Sequence, residues 1–307
     1  MSHSLSRRRL LTRSCALAGL HSVSRVAGMG AAAIACNGMA LAAPERPAEP
    51  SPQPRTGAGA GQEGRTVQSP QSPQMPELAE LPQVPASLSL DFNVYYGDST
   101  SRGVQVAQAV YRLNHSQDEY RLETEARATG VLSVFYGGML LQSSVGALDA
   151  QGFRPRRYTE KRGKRPERQL DFDARTRRIR LVGDPTVQLP FPEGTQDRLS
   201  VFFQLGLLAR SNQSVVRPGQ RFILPLAGTH RIDEPLFQVL GREAMRTAAG
   251  AFEALHIAVS KPGDADAPKF DIWLAPSLQM LPVRIRVVDG NDGKVVDQVL
   301  KSKPTGV

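Results

Sequence analysis

Cysteine is almost absent from this chain: two occur in 307 residues, Cys15 and Cys36, and both fall within the first 42. A chain cut after Ala42 would have no disulfide, thiolate nucleophile or cysteine-held metal. Histidine is scarce as well. Beyond residue 42 only His115, His230 and His256 remain, and no two of them have metal-ligand spacing. There is no His-Glu-x-x-His, Gly-x-Ser-x-Gly, phosphate-cradling glycine loop or dinucleotide fingerprint. The expectation is therefore a non-enzymatic protein with no metal and no cofactor. Beyond residue 43 no segment is apolar enough over its length to span a bilayer, so no transmembrane span is expected in the processed chain.

The amino end reads as an export signal. Residues 1–42 hold five arginines and no acid, then an Ala/Gly-rich apolar run from Val26, then Ala40-Leu41-Ala42 as a small-x-small cleavage site. Its removal takes the formal charge from +9 to +4, which makes nucleic acid an unexpected partner. Ser6-Arg7-Arg8-Arg9-Leu10-Leu11 resembles the twin-arginine pattern, with an ordinary arginine-rich leader as the alternative. Ala33-Ile34-Ala35-Cys36 is a degraded lipoprotein box, making Cys36 a candidate for lipidation, and Val26–Ala43 is a candidate membrane anchor if uncleaved. A periplasmic location is expected.

Residues 43–86 hold ten of the chain's 23 prolines and few aromatic or β-branched residues. They read as an extended, disordered tether, and the folded domain is expected over 87–307. That domain is expected to be mainly β. Short segments with a period of two recur, among them Val104–Leu113, Tyr120–Thr129, Met139–Leu148, Phe153–Arg162 and Phe252–Ser260. Val131–Tyr136 is ambiguous between helix and strand. Gly290-Asn291-Asp292-Gly293 marks a final hairpin.

One stretch is different. Over Thr195–Arg210, Leu199, Phe202 and Phe203 recur at helical spacing, widened by Leu205, Leu208 and Ala209. Thr195 is placed to cap this helix, Asp197 to sit in its positive first turn and Arg210 in its negative last turn. A helix so apolar must be enclosed, and strands are what the chain offers. The expected architecture is about a dozen antiparallel strands forming a curved sheet or half-open barrel around it. Phe202, Phe203 and Leu207 are then either core or the lining of an apolar groove for a lipid-like ligand; Trp273 is similarly open between core and groove.

Charge is the other unusual feature. Residues 154–180 hold twelve Arg and Lys against four acids. Glu167, Asp171 and Asp173 are within cross-strand reach of Arg178 and Arg180, so part of this is a solvated strand face. Lys161, Arg162, Lys164 and Arg165 crowd one turn with no acid among them. Such a tip either carries no function or meets an anionic surface: lipid headgroups, lipopolysaccharide or an acidic envelope protein.

Several short motifs together resemble one family, the domain of unknown function numbered 3108, found in exported proteobacterial proteins. They are Tyr95-Tyr96-Gly97, Gln196-Asp197-Arg198-Leu199-Ser200, Gly241-Arg242-Glu243, Gly250 through Leu255, Trp273-Leu274-Ala275-Pro276 and Leu281-Pro282-Val283-Arg284. The resemblance spans about Leu90 to Gln298 and implies export and this architecture, with no activity attached. The sheet-around-helix shape is also similar, at the level of fold alone, to periplasmic carriers of lipoproteins.

Overall fold

The computed structural model describes residues 74–130, 139–228 and 231–306, with Pro185 and Val187 described in backbone only. Arg7, Arg8, Cys36, Val131–Tyr136 and His230 lie outside the described residues. The amino-terminal half is a meander of β1 (Ser87–Tyr96), β2 (Val104–Ser116), β3 (Glu119–Ala128), β4 (Met139–Asp149) and β5 (Gly152–Arg162). It continues through β6 (Arg168–Asp173), β7 (Arg178–Leu181) and β8 (Asp184–Pro190). Helix α1 (Ser200–Ser211) is followed by β9 (Arg221–Ile223) and the short pair β10 (Leu226–Ala227) and β11 (Ile232–Asp233). Then come β12 (Leu236–Thr247), β13 (Gly250–Ser260), β14 (Lys269–Ala275), β15 (Leu281–Val288) and β16 (Val295–Leu300).

Fourteen of these strands make one antiparallel sheet in the order β8-β7-β6-β5-β4-β3-β2-β1-β16-β15-β14-β13-β12-β9. The sheet does not close: its terminal strands, β8 and β9, do not pair with each other. The two halves of the chain are joined in its middle, where β1 lies along β16 from Phe92↔Leu300 to Tyr96↔Val296. Alternation sets the faces. In β4 every second residue from Leu140 to Leu148 is buried, and in β1 Leu88, Leu90, Phe92 and Val94 are.

Helix α1 explains the curvature. It contacts both β5 and β15, which have β4, β3, β2, β1 and β16 between them in the sheet. A flat sheet could not offer both strands to one helix, so the sheet wraps it. All ten residues from Ser200 to Ala209 are buried. Phe203 packs against Phe153 of β5 at 6.1 Å between ring centroids. Gln204 ties the helix to the β4–β5 turn, accepting from Phe153 N at 2.8 Å and donating to Gln151 O at 3.1 Å. Gly152 is needed here: it sits at φ +89°, and a Cβ would overlap the Gln204 amide.

The helix starts later than its sequence pattern predicts, at Ser200 rather than Thr195. Gln196 is held extended, its N–H donating to Pro225 O and its carbonyl accepting from Ala227 N, both at 2.8 Å. Thr195 does not cap; its hydroxyl donates to Pro192 O. Asp197 is not in the first turn either. From three residues ahead of Ser200, its Oδ1 accepts from the N–H groups of Leu199 and Ser200, each at 2.8 Å. Arg210 does occupy the last turn. Two strand segments give no period-two signal. β8 carries Pro185 and Pro190, and the outer half of β12 from Gly241 is largely exposed on both faces.

Candidate functional sites on the two faces of the sheet

The concave face, around the start of α1, holds a buried polar cluster. Asp197 is fully enclosed, accepts from Ser144 Oγ and from the two backbone N–H groups, and has its carboxyl pushed up by burial against those bonds. Ser144 Oγ also meets Tyr120 OH at 2.9 Å. Beside it lies Glu160, side-chain exposure 4 %, bound by Arg162 at 2.6 Å and facing Arg198 at 3.6 Å. Burial pushes Glu160 upward, but the Arg162 hydrogen bond and the charges of Arg162 and Arg198 prevail and hold it at about 2. Gln142 Nε2 completes the cluster, donating to Tyr158 OH at 2.7 Å and Glu160 at 3.0 Å.

Arg198 also borders a cavity of about 30 Å³ between α1 and strands β12–β14, otherwise lined by Val201, Phe202, Leu226, Phe237, Val259, Phe270 and Ile272. That space holds a water or two, far below the several hundred Å³ of a ligand pocket. Of the three groove candidates, Phe202 lines it; Phe203 and Leu207 are buried but do not.

On the convex face, the end formed by β12–β16 carries a column of stacked side chains. Because Val259, Phe270 and Ile272 face the helix, alternation turns His256, Trp273 and Arg284 outward. The three are direct cross-strand neighbours. Trp273 lies between the His256 ring, 4.3 Å away and 19° off parallel, and the Arg284 guanidinium at 4.8 Å. Glu243 accepts from His256 Nδ1 at 2.6 Å and Trp273 Nε1 at 3.0 Å, and Asp271 meets His256 Nε2 at 2.7 Å. Burial alone would lower the imidazole, but the two carboxylates raise it.

Arg284 grips Asp297, which is wholly buried, through Nε at 2.8 Å and Nη2 at 2.5 Å, and reaches Asp98 at 3.2 Å. Arg286 pairs with Asp98 too, while Ser99 donates to Asp297 from its N–H and hydroxyl. Both nitrogens of His256 are thus engaged by acids. Among the described residues no group of three His, Cys, Asp or Glu is arranged to hold a metal ion. Of these residues the sequence offered only Trp273, as core or groove lining, and it does not border the cavity; Glu243, Trp273 and Arg284 each stand in one of the motifs carrying the family resemblance.

The opposite end of the same face, β5–β7, is basic. Asp171 and Asp173 do lie opposite Arg180 and Arg178, and Asp171 is bound by Arg157 at 2.9 Å. Lys161, Lys164 and Arg165 of the expected tip are exposed, whereas Arg162 turns inward onto Glu160. Lys161, Lys164, Arg165, Arg175, Arg178 and Arg180 are all exposed and make no ion pair among the described residues.

An open antiparallel sheet curved over one helix, with a stacked, ion-paired column at one end and exposed cations with no ion pair among the described residues at the other, defines the class. The chain belongs to the family described as "Protein of unknown function (DUF3108)", whose sequence profile matches residues 91–299. Two solved structures are similar at low identity. One, from Bacteroides fragilis NCTC 9343, is described as an exported protein with a YmcC-like fold; it shares 12 % identity, with 74 % of this chain and 98 % of that chain covered, at a TM-score of 0.29. The other, from Parabacteroides distasonis ATCC 8503, is described as a lipoprotein; it shares 10 % identity, with 75 % and 99 % covered, at a TM-score of 0.29. No curated protein matches. No helix among the described residues is long and apolar enough to cross a membrane.

Proposed function

We propose that this is a non-catalytic protein of the cell envelope, exported by its amino-terminal leader, that docks on an anionic lipid surface through the basic end of its sheet. The observation that carries the reading is the unmatched charge on β5–β7. Six exposed cations make no ion pair there among the described residues, while the arginine and histidine at the far end of the same face are each held by two acids. Exposed cations not drawn into ion pairs are available to phosphate-bearing headgroups, each contributing about 1 kcal/mol near the membrane.

Co-sedimentation with phosphatidylcholine vesicles, with and without phosphatidylglycerol, tests this. Binding is expected only to the anionic vesicles, should weaken as salt is raised, and should fall about 100-fold in a chain carrying Lys161→Gln, Lys164→Gln and Arg165→Gln. Equal binding to neutral vesicles, or a variant that binds like the native chain, defeats the reading.

A second reading, an acyl chain beside α1, is favoured by one feature: the cavity joins seven apolar side chains to one guanidinium, that of Arg198. An occupant larger than water requires the lining, Phe202 included, to give way. A reproducible added mass in native mass spectrometry of detergent-free protein, increased by Phe202→Ala, supports this; bare protein in both forms removes it.

A further inference from the structure

Residues 74–86, within the proline-rich stretch read as tether, do not leave the domain at Ser87. They run back along α1. Gln74 O accepts from Ile223 N of β9 at 3.3 Å, Glu77 O from Asn212 Nδ2 at 3.2 Å, and Gln83 O from Arg210 Nη2 at 2.7 Å. Met75, Leu78 and Val84 pack against the core from this segment, while Gln74, Glu77, Glu80 and Gln83 face solvent. Pro76, Pro82 and Pro85 keep it extended. Gly194 is the clearest sign of a formed seat: it lies at φ +76°, and a Cβ there would overlap the Met75 sulfur.

This is how a domain holds a foreign peptide. The protein supplies the donors, the peptide supplies backbone carbonyls, and small pockets read alternate side chains. The open flank of β9, at the end of the sheet, supplies one of those donors. Nothing in these contacts depends on the bound segment being covalently part of the same chain.

We propose that the groove formed by α1, the Gly194 turn and the edge of β9 is a peptide-recognition site, filled in cis by Gln74–Ala86. Its partner in trans is an extended, proline-spaced segment of another envelope protein, bearing a long unbranched apolar side chain, methionine above all, for the Gly194 seat. The cis segment competes at an effective concentration in the mM range. With the cis sequence itself binding the emptied groove at about 10 μM, a trans peptide should therefore bind the native chain on the order of 100-fold more weakly.

The test uses the full chain and a fluorescent synthetic peptide of residues 74–86. Met75→Asp should release the segment, seen as faster hydrogen exchange of the Ile223 N–H that donates to Gln74 O, and the released groove should bind the peptide at least tenfold more tightly than the native chain. A peptide with aspartate at the methionine position should not bind. Met75→Ala, which puts no charge against the core, serves if Met75→Asp does not fold. Gly194→Ala, strained at φ +76° and crowding the flexible end of Met75, should weaken the native peptide more than a peptide with alanine in place of methionine. Unchanged exchange in both Met75 variants, or a released groove that binds no peptide, overturns the proposal.

Discussion

The two ends of the convex face solve the same problem in opposite ways. Both place arginine on the outward side of their strands. At β12–β16 the cations are stacked, enclosed and matched: Arg284 lies on Trp273 and holds the fully buried Asp297, and Asp98 is shared with Arg286. At β5–β7 Arg175, Arg178 and Arg180 stand in solvent with no ion pair among the described residues. A charge used for structure is surrounded until nothing else can reach it. A charge kept for binding has to stay unsatisfied, and it gives the fold little in return.

Substitution should separate the two ends most sharply through stability. Arg284→Ala removes both guanidinium hydrogen bonds to the buried Asp297, leaving only Arg286 at 3.9 Å as a cation beside it, and is expected to cost about 3 kcal/mol in urea denaturation. A cost near zero would mean the column is decorative.

Acid should reveal the interior pair next. Glu160 is lowered in the folded chain to about 2 from 4.5, so its contribution is complete above pH 4.5 and is lost as pH falls towards about 2. The shift corresponds to about 3 kcal/mol. Urea midpoints followed through that window should drop in the native chain and flatten in Glu160→Gln.

The alkaline side belongs to the other end. His256 is raised above its ordinary value, so its contribution is complete below about 6.5 and is lost as pH rises through the raised value. His256→Gln, which keeps one hydrogen bond, should cost about 1–2 kcal/mol at pH 6 and less at pH 9. A variant with the same deficit at both values would show that the ring acts by packing rather than charge.

The smallest effect is expected at the tip. Replacing Lys161, Lys164 and Arg165 together with glutamine should move stability by no more than about 0.5 kcal/mol while weakening vesicle binding about 100-fold. A larger loss would make those cations structural and merge the two ends into one kind of surface.

The sequence carried the strands because a half-buried strand alternates, and it carried the helix because an enclosed one cannot hide its apolar faces. It missed the outer half of β12 because a segment exposed on both sides has no hydrophobic period to display. The start of α1 was misplaced because Gln196 is fixed by a bridge to Leu226, a partner thirty positions on that no local pattern announces. The convex column was illegible for a related reason. His256, Trp273 and Arg284 become neighbours only through register across β13, β14 and β15, and each taken alone reads as an ordinary strand residue. Arg162 and Lys161 look alike in the sequence; parity along β5 sends one inward to Glu160 and the other to solvent.

The seam of β1 with β16 has a consequence in time. The strand that opens the meander finds its second neighbour only when the final strand arrives, and Ser99 meets Asp297 across 198 positions. Such distant pairings make folding slow. During synthesis, or during threading through a membrane amino end first, the leading half must wait with the edge of β1 bare, and a bare edge invites the wrong strand. The molecule is therefore most vulnerable to mispairing just before its last six-residue strand is delivered, and whatever shields it in the cell has to act on that interval.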